Sequence, residues 1–222
     1  MIGRFPPSTR LFAAGLSGLA GFVDAIGFIK LGGFFVSFMS GNSTRLAVAL
    51  ARGQPPLAGG LIAAFVLGVV LGALAGGMGP VRRRPAIVLG LVTLLLAVAA
   101  VFARMGLGIG ATGAMAMAMG AENGVFAAGG EVQIGLTYMT GTLVKLGQRL
   151  ASAIDGGDAF GWAPYLLLWL GLLAGAVAGA GAYARLGDGS LWIAAAAALA
   201  LAMAALRLGA LDDRFVLPRA QS

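Results

Sequence analysis

From Leu11 to Leu206 the chain is a succession of apolar runs, and charged residues fall mostly in the breaks between them. Eight runs can be marked, at 11–29, 35–51, 57–79, 86–103, 108–128, 134–151, 163–184 and 191–206. The breaks carry glycine, proline and charge, as at Arg52 to Pro56, Pro80 to Pro85, Arg104 to Gly106, Asp155 to Asp158 and Arg185 to Gly189. A helix needs about 20 residues to cross a hydrocarbon core of about 30 Å, so most of these runs have the length of a membrane span. Composition points the same way: only 10% of the residues are charged, and the mean hydropathy is +0.95. A soluble domain carries about 25% charged residues. The predicted fold class is an all-α polytopic membrane protein, a single membrane domain over 1–222 with the lipid bilayer as its main partner. Trp162, Tyr165, Tyr183 and Trp192 fall at the ends of runs, where amphipathic rings sit at a membrane interface.

The same composition narrows the chemistry. There is no cysteine and no histidine, which removes disulfides, thiolate and histidine-assisted catalysis, and most zinc and haem sites. No nucleophile–base pair can be marked in the runs, so neither an enzyme activity, a cofactor nor a bound metal is expected. The net charge is +7, but the basic residues are scattered singly among apolar runs rather than gathered with aromatics on one element, which argues against nucleic acid. They read better as cations at the cytoplasmic ends of membrane helices. Arg4 and Arg10 ahead of the first run imitate a signal peptide. That run contains Asp24 and is followed by many more, so it is expected to be a retained first membrane helix.

Laid against itself, the chain repeats. Ser37 to Ala51 (SFMSGNSTRLAVALA) matches Thr137 to Ala151 (TYMTGTLVKLGQRLA) at an offset of 100, with Met39, Gly41, Leu46, Leu50 and Ala51 recurring identically. Upstream, at an offset of 98, Asp24 aligns with Glu122 and Phe28 with Phe126. Downstream, at an offset of 103, the ladder Gly68, Gly72, Gly76 aligns with Gly171, Gly175, Gly179, and Arg82 with Arg185. The expected organisation is two four-element repeats, about 11–106 and 108–209, followed by a short tail over 210–222. The ladders suit close helix contact, between the halves or between protomers of a homo-oligomer. Methionines 115, 117 and 119 suit adaptable packing.

Runs 35–51 and 134–151 are too polar to face lipid, and non-helical backbone at membrane depth is tolerated where it is buried in protein or lines a cavity. Eight crossings from a cytoplasmic N-terminus would put Arg82, Arg83 and Arg84 outside. Six crossings, with a broken or re-entrant helix in each half, place that cluster inside for the same total of internal cations. Dense charge in a short loop is what the positive-inside rule weighs. Six crossings, both termini cytoplasmic and a 3+3 inverted repeat are therefore expected.

Of the eight acidic residues, Asp24 and Glu122 alone fall well inside apolar runs. An intramembrane carboxylate costs about 2.5 to 3.5 kcal/mol on insertion scales and is by default a candidate functional group. The alternative is a purely local role, pairing with a base or accepting bonds from a nearby helix start. The second candidate feature is Ser40-Gly41-Asn42 with its twin Thr140-Gly141-Thr142. A hydroxyl, a glycine and a second polar group suit a helix restart inside the membrane: a cap acceptor, a residue free to take φ > 0, and exposed N–H donors. Two such starts would aim two positive dipole ends at one central site. Asn123 adds an amide beside Glu122. Arg45 and Lys145 follow about one turn later, as charge partners for an anionic substrate or the carboxylates, or as snorkelling residues.

In Val23-Asp24-Ala25, in Phe35 through Met39-Ser40-Gly41-Asn42, in Glu122-Asn123 and in Met139-Thr140-Gly141-Thr142, the chain resembles the YoaK family of uncharacterised bacterial membrane proteins, defined by a domain of unknown function. The likeness covers nearly the whole chain. It departs from the family pattern at Ser40, where Thr is usual, and at Glu122, where Gln is usual; the second departure leaves Asp24 with the stronger claim to a shared role. The resemblance implies a multi-pass protein of the bacterial inner membrane. The functional expectation is a secondary transporter of a small, anionic molecule with proton coupling, its midplane site formed by Asp24, Ser40, Gly41, Asn42, Glu122, Asn123, Thr140, Gly141 and Thr142. A passive channel lined by the same residues and a non-transporting scaffold are the alternatives.

Overall fold

The computed structural model describes residues 2–128 and 131–211. Eight helices follow in order: α1 Pro7–Lys30, α2 Met39–Ala51, α3 Leu57–Gly77, α4 Arg84–Arg104, α5 Gly108–Glu122, α6 Met139–Ile154, α7 Ala163–Leu186 and α8 Ser190–Leu211. Each corresponds to one apolar run, because hydropathy and punctuation are local properties. Proline opens α1 at Pro7 and stands in the first turn of α4 and α7, where its missing N–H is no loss. Gly106, at φ 75, lets the chain reverse between α4 and α5 within three residues. A minimal antiparallel hairpin pairs β1, Ala127–Ala128, with β2, Glu131–Val132. Of the expected tail, residues 212–222 lie outside the described residues.

Among the described residues, four helical stretches are long and apolar enough to cross a membrane: Pro7–Lys30, Leu57–Gly77, Val81–Arg104 and Ala163–Gly209. The last contains both α7 and α8, joined by a single turn at Gly187–Gly189. Helix α5, with 15 residues, is shorter. It spans about 22 Å at 1.5 Å per residue.

The glycine ladders fix how the helices pair. Gly171 lies against the carbonyl of Ala14, Gly175 against that of Gly18, and Gly179 against that of Phe22. The numbers rise together, so α1 and α7 run side by side in the same direction. Gly68 against Met117 and Gly72 against Ala121 make α3 and α5 a second parallel pair. Gly209, near the end of α8, meets Arg82 just ahead of α4, so α4 and α8 are antiparallel. With the short links between α3, α4 and α5 and between α7 and α8, one set of directions results: α1, α4 and α7 run one way, α3, α5 and α8 the other. Five of the six ladder glycines therefore contact helices of the opposite half of the chain, where the sequence left partner protomers open; Gly76 instead meets Arg84 and Val88 of its own half. Without a hydrophobic drive between helices in lipid, such backbone approach is the main source of association.

Helix α1 thus ends on the face where α3 begins, and α5 ends on the face where α7 begins. Helices α2 and α6, of 13 and 16 residues, return to the face their preceding segment left, from opposite sides of the molecule. The core beneath is built from Leu16, Leu19 and Val23 of α1, Leu89, Val92 and Leu96 of α4, and Met115 and Met119 of α5. Met115 and Met119, one turn apart, are fully buried, in keeping with a packing role. Leu67, Val70 and Leu74 of α3 and Leu170, Leu173 and Val177 of α7 are exposed, forming the apolar outer surface a bilayer covers.

Candidate functional site

Non-helical chain at 35–38 and 134–138 leads into α2 and α6, and the two helix starts meet. Between them is a cavity of about 370 Å³. Ser37, Ser40 and Ser43 line it from one segment, Thr137, Thr140 and Gly141 from the other, and Asn123 from the turn after α5. Phe38, Met39, Tyr138 and Met139 from the segments, with Phe65 and Val69 of α3, supply an apolar wall. The first-turn amides of a helix have no acceptor within it, and the positive end of its dipole lies there. The cavity therefore combines two positive helix ends with a ring of hydroxyls and one amide, and among the described residues no charged side chain lines it.

Ser40 and Thr140 are not caps. The helices begin at Met39 and Met139, and the preceding Phe38 and Tyr138 make no side-chain cap bond. The hydroxyls sit inside the first turn and line the cavity instead. The expected positive φ at Gly41 and Gly141 is likewise absent; glycines with positive φ stand in loops, at Gly32 and Gly53 among others. Gly41 serves close packing, since a Cβ there would meet the Phe38 ring at 2.5 Å, whereas Gly141 has open space around it.

Asp24 and Asn42 hold the first segment rather than line the cavity. Oδ1 of Asp24 accepts the amides of Val36 at 2.8 Å and Ser37 at 2.9 Å. Asn42, fully buried, accepts the Phe35 amide at 3.1 Å and donates to the Phe35 carbonyl at 2.6 Å. Buried backbone donors and acceptors are costly to leave unpaired. These two side chains thus do for the non-helical segment what a ladder does for a strand. Asp24 also borders an outer groove between α1 and α7, beside Phe28 and Ile29.

The second segment is held differently. Asn123 accepts from the Thr137 hydroxyl at 3.2 Å and donates to the Met119 carbonyl at 3.0 Å, and Ser17 of α1 donates to the Leu136 carbonyl at 3.4 Å. Thr142 donates to the Tyr138 carbonyl within its own helix. Glu122 is fully buried, and among the described residues neither of its carboxyl oxygens has a hydrogen-bond partner. It is the last residue of α5, whereas the matched helix α1 continues six residues past Asp24 to Lys30. Arg45 stacks its guanidinium 5.0 Å from the Phe34 ring centroid and 6.0 Å from that of Phe35. Among the described residues it forms no ion pair with Asp24. Lys145 occupies the matching place on α6, half-buried.

Of the residues expected at the site, Ser40, Asn123, Thr140 and Gly141 line one cavity. Asp24, Gly41, Asn42, Glu122 and Thr142 do not line it. Ser37, Thr137 and the Phe38/Tyr138 pair line it without having been singled out. Their signal was available: these positions carry like residues at the 100-residue offset.

Over residues 12–204 the chain matches the family described as "Protein of unknown function (DUF1275)". It belongs to that family. It is 40% identical over 195 residues to "UPF0700 transmembrane protein RA0705" of Rhizobium meliloti (strain 1021), a match covering 88% of this chain and 85% of that protein. No solved structure matches it significantly. A family member with these apolar helices is a multi-pass integral membrane protein, and the family resemblance read from the motifs stands.

Proposed function

We propose that this protein is a secondary transporter whose two halves form an inverted-topology repeat, and that the central cavity binds a small anionic molecule. The observation that carries this reading is the meeting of two oppositely directed re-entrant helix starts at one polar cavity. Broken helices of this kind form substrate sites in many transporter folds, with the positive helix ends turned toward anionic groups. The opposite directions of α1, α3, α4 and of α5, α7, α8 support the inverted repeat. Hydroxyl and amide donors without a lining carboxylate favour an anion over a cation, and the Phe, Met and Val wall suits an attached apolar group.

The start of α1, the Arg82 to Arg84 link and the end of α8 share one face. By the positive-inside rule that face is cytoplasmic and the membrane is the bacterial inner membrane. Nothing in the cavity pairs a nucleophile with a base, so the role is transport rather than catalysis. Uptake of small monocarboxylates and inorganic oxyanions into proteoliposomes tests the reading. Saturable uptake that is lost in Gly141→Phe, which fills the cavity from an uncrowded position, is the expected result. Uptake unchanged in Gly141→Phe, or absent for every anion tried, refutes it.

A further inference from the structure

The two halves place a carboxyl at matched positions, Asp24 and Glu122, and use them differently. The first segment is held by four hydrogen bonds, two to Asp24 and two to Asn42. Glu122 is fully buried with both oxygens unpartnered among the described residues. A buried polar group without partners is expensive, and this one stands at the C-terminal end of α5, where the helix dipole adds negative potential. At the offset of 100, the amides matching Val36 and Ser37 are those of Leu136 and Thr137. Near them, among the described residues, the second segment is held by the Ser17 and Asn123 contacts, at 3.4 and 3.2 Å. Asn123, the residue next to Glu122, already reaches Thr137. Rotating the last turn of α5 by about 100°, one residue step of an α-helix, exchanges Asn123 for Glu122 opposite this segment.

We propose that Glu122 is the latch of a second conformational state, in which it accepts the amides of Leu136 and Thr137 while Asp24 releases those of Val36 and Ser37. The two re-entrant segments then exchange their held and loose arrangements. Because Ser37 and Thr137 both line the cavity, the exchange moves its wall from one side to the other. This rests on the inverted-repeat transporter reading and gives it a gate. Glu122 is a positioning residue in this scheme, since it acts through the segment it holds.

The chain has no cysteine, so a single Ser40→Cys or Thr140→Cys reports cavity access in proteoliposomes treated with a membrane-impermeant maleimide on either side. Glu122→Met, close in volume but without an acceptor, is expected to raise the unfolding temperature. It also lowers the labelling rate from the face reached only in the second state by about tenfold. Glu122→Gln, with one acceptor oxygen, falls between, and Asp24→Asn raises that rate. A merely structural carboxyl predicts higher stability in Glu122→Met with unchanged labelling. That outcome, or shifts of the same sign in Asp24→Asn and Glu122→Met, overturns the latch. If Asp24→Asn does not fold, the two Glu122 variants decide. Labelling reads conformation and uptake reads flux. Labelling shifts without uptake of any probe would sink the transport reading alone; uptake without labelling shifts would sink the latch alone.

Discussion

Gly175→Ala tests the seam between α1 and α7. A Cβ at residue 175 would fall on the Gly18 carbonyl, with the Gly18 carbonyl carbon at 2.6 Å and its Cα at 2.7 Å. Carbon atoms in contact sit about 3.5 to 4.0 Å apart, so the helices must part by about 1 Å at this level. The neighbour is backbone and cannot swing aside, so the separation also loosens the contacts of Gly171 and Gly179, one turn to either side. Overpacking a close-packed interior costs about 1 to 3 kcal/mol, and a backbone neighbour puts this site at the upper end. Alanine recovers about 0.8 to 1 kcal/mol over glycine in a helix, which leaves a net loss of about 2 kcal/mol. Gly90 in α4 is the control, since nothing lies within 4 Å of a Cβ built there. Gly90→Ala is expected to gain about 0.5 to 1 kcal/mol, so one substitution at two sites takes opposite signs. Thermal unfolding in detergent, followed by tryptophan fluorescence and by loss of the monodisperse peak, measures both. If Gly175→Ala is as stable as Gly90→Ala, the seam is not close-packed and the helix directions read from it lose their basis.

Other perturbations follow from the same contacts. Asn42→Ala removes both bonds to the Phe35 backbone and leaves a buried donor and acceptor unpaired, a loss of about 2 to 4 kcal/mol in the same unfolding assay. Lys30→Ala breaks the 2.6 Å ion pair with Asp188, which ties the end of α1 to the turn between α7 and α8. Its side chains are 16% and 32% exposed, so the cost should stay under about 1 kcal/mol and shrink further in high salt. Asp24→Asn weakens the grip on Val36 and Ser37, and in proteoliposomes it is expected to slow saturable uptake while Lys30→Ala leaves uptake intact. Equal uptake in the two variants would remove Asp24 from the site's support.

The sequence by itself determined the solvent and the elements. Apolar run length and the punctuation between runs depend on neighbours in the chain, so eight helices and a membrane could be read directly, as could the 100-residue offset that matches Ser40 with Thr140. Tertiary structure decided which groups meet. Asp24 contacts amides 12 and 13 residues away, Ser17 contacts a carbonyl 119 residues away, and each glycine ladder finds its partner in the other half. Hydropathy records where a segment partitions and carries no record of its partner. For that reason Asp24 and Asn42 read as site residues in sequence, whereas in space they hold the backbone of residues 35–37 and do not line the cavity. Ser40 and Thr140 read as caps as well as site residues; they line the cavity and cap nothing. The matched carboxyls Asp24 and Glu122 look alike in sequence; only the packing around them shows the half-buried Asp24 holding two amides and the fully buried Glu122, among the described residues, holding none.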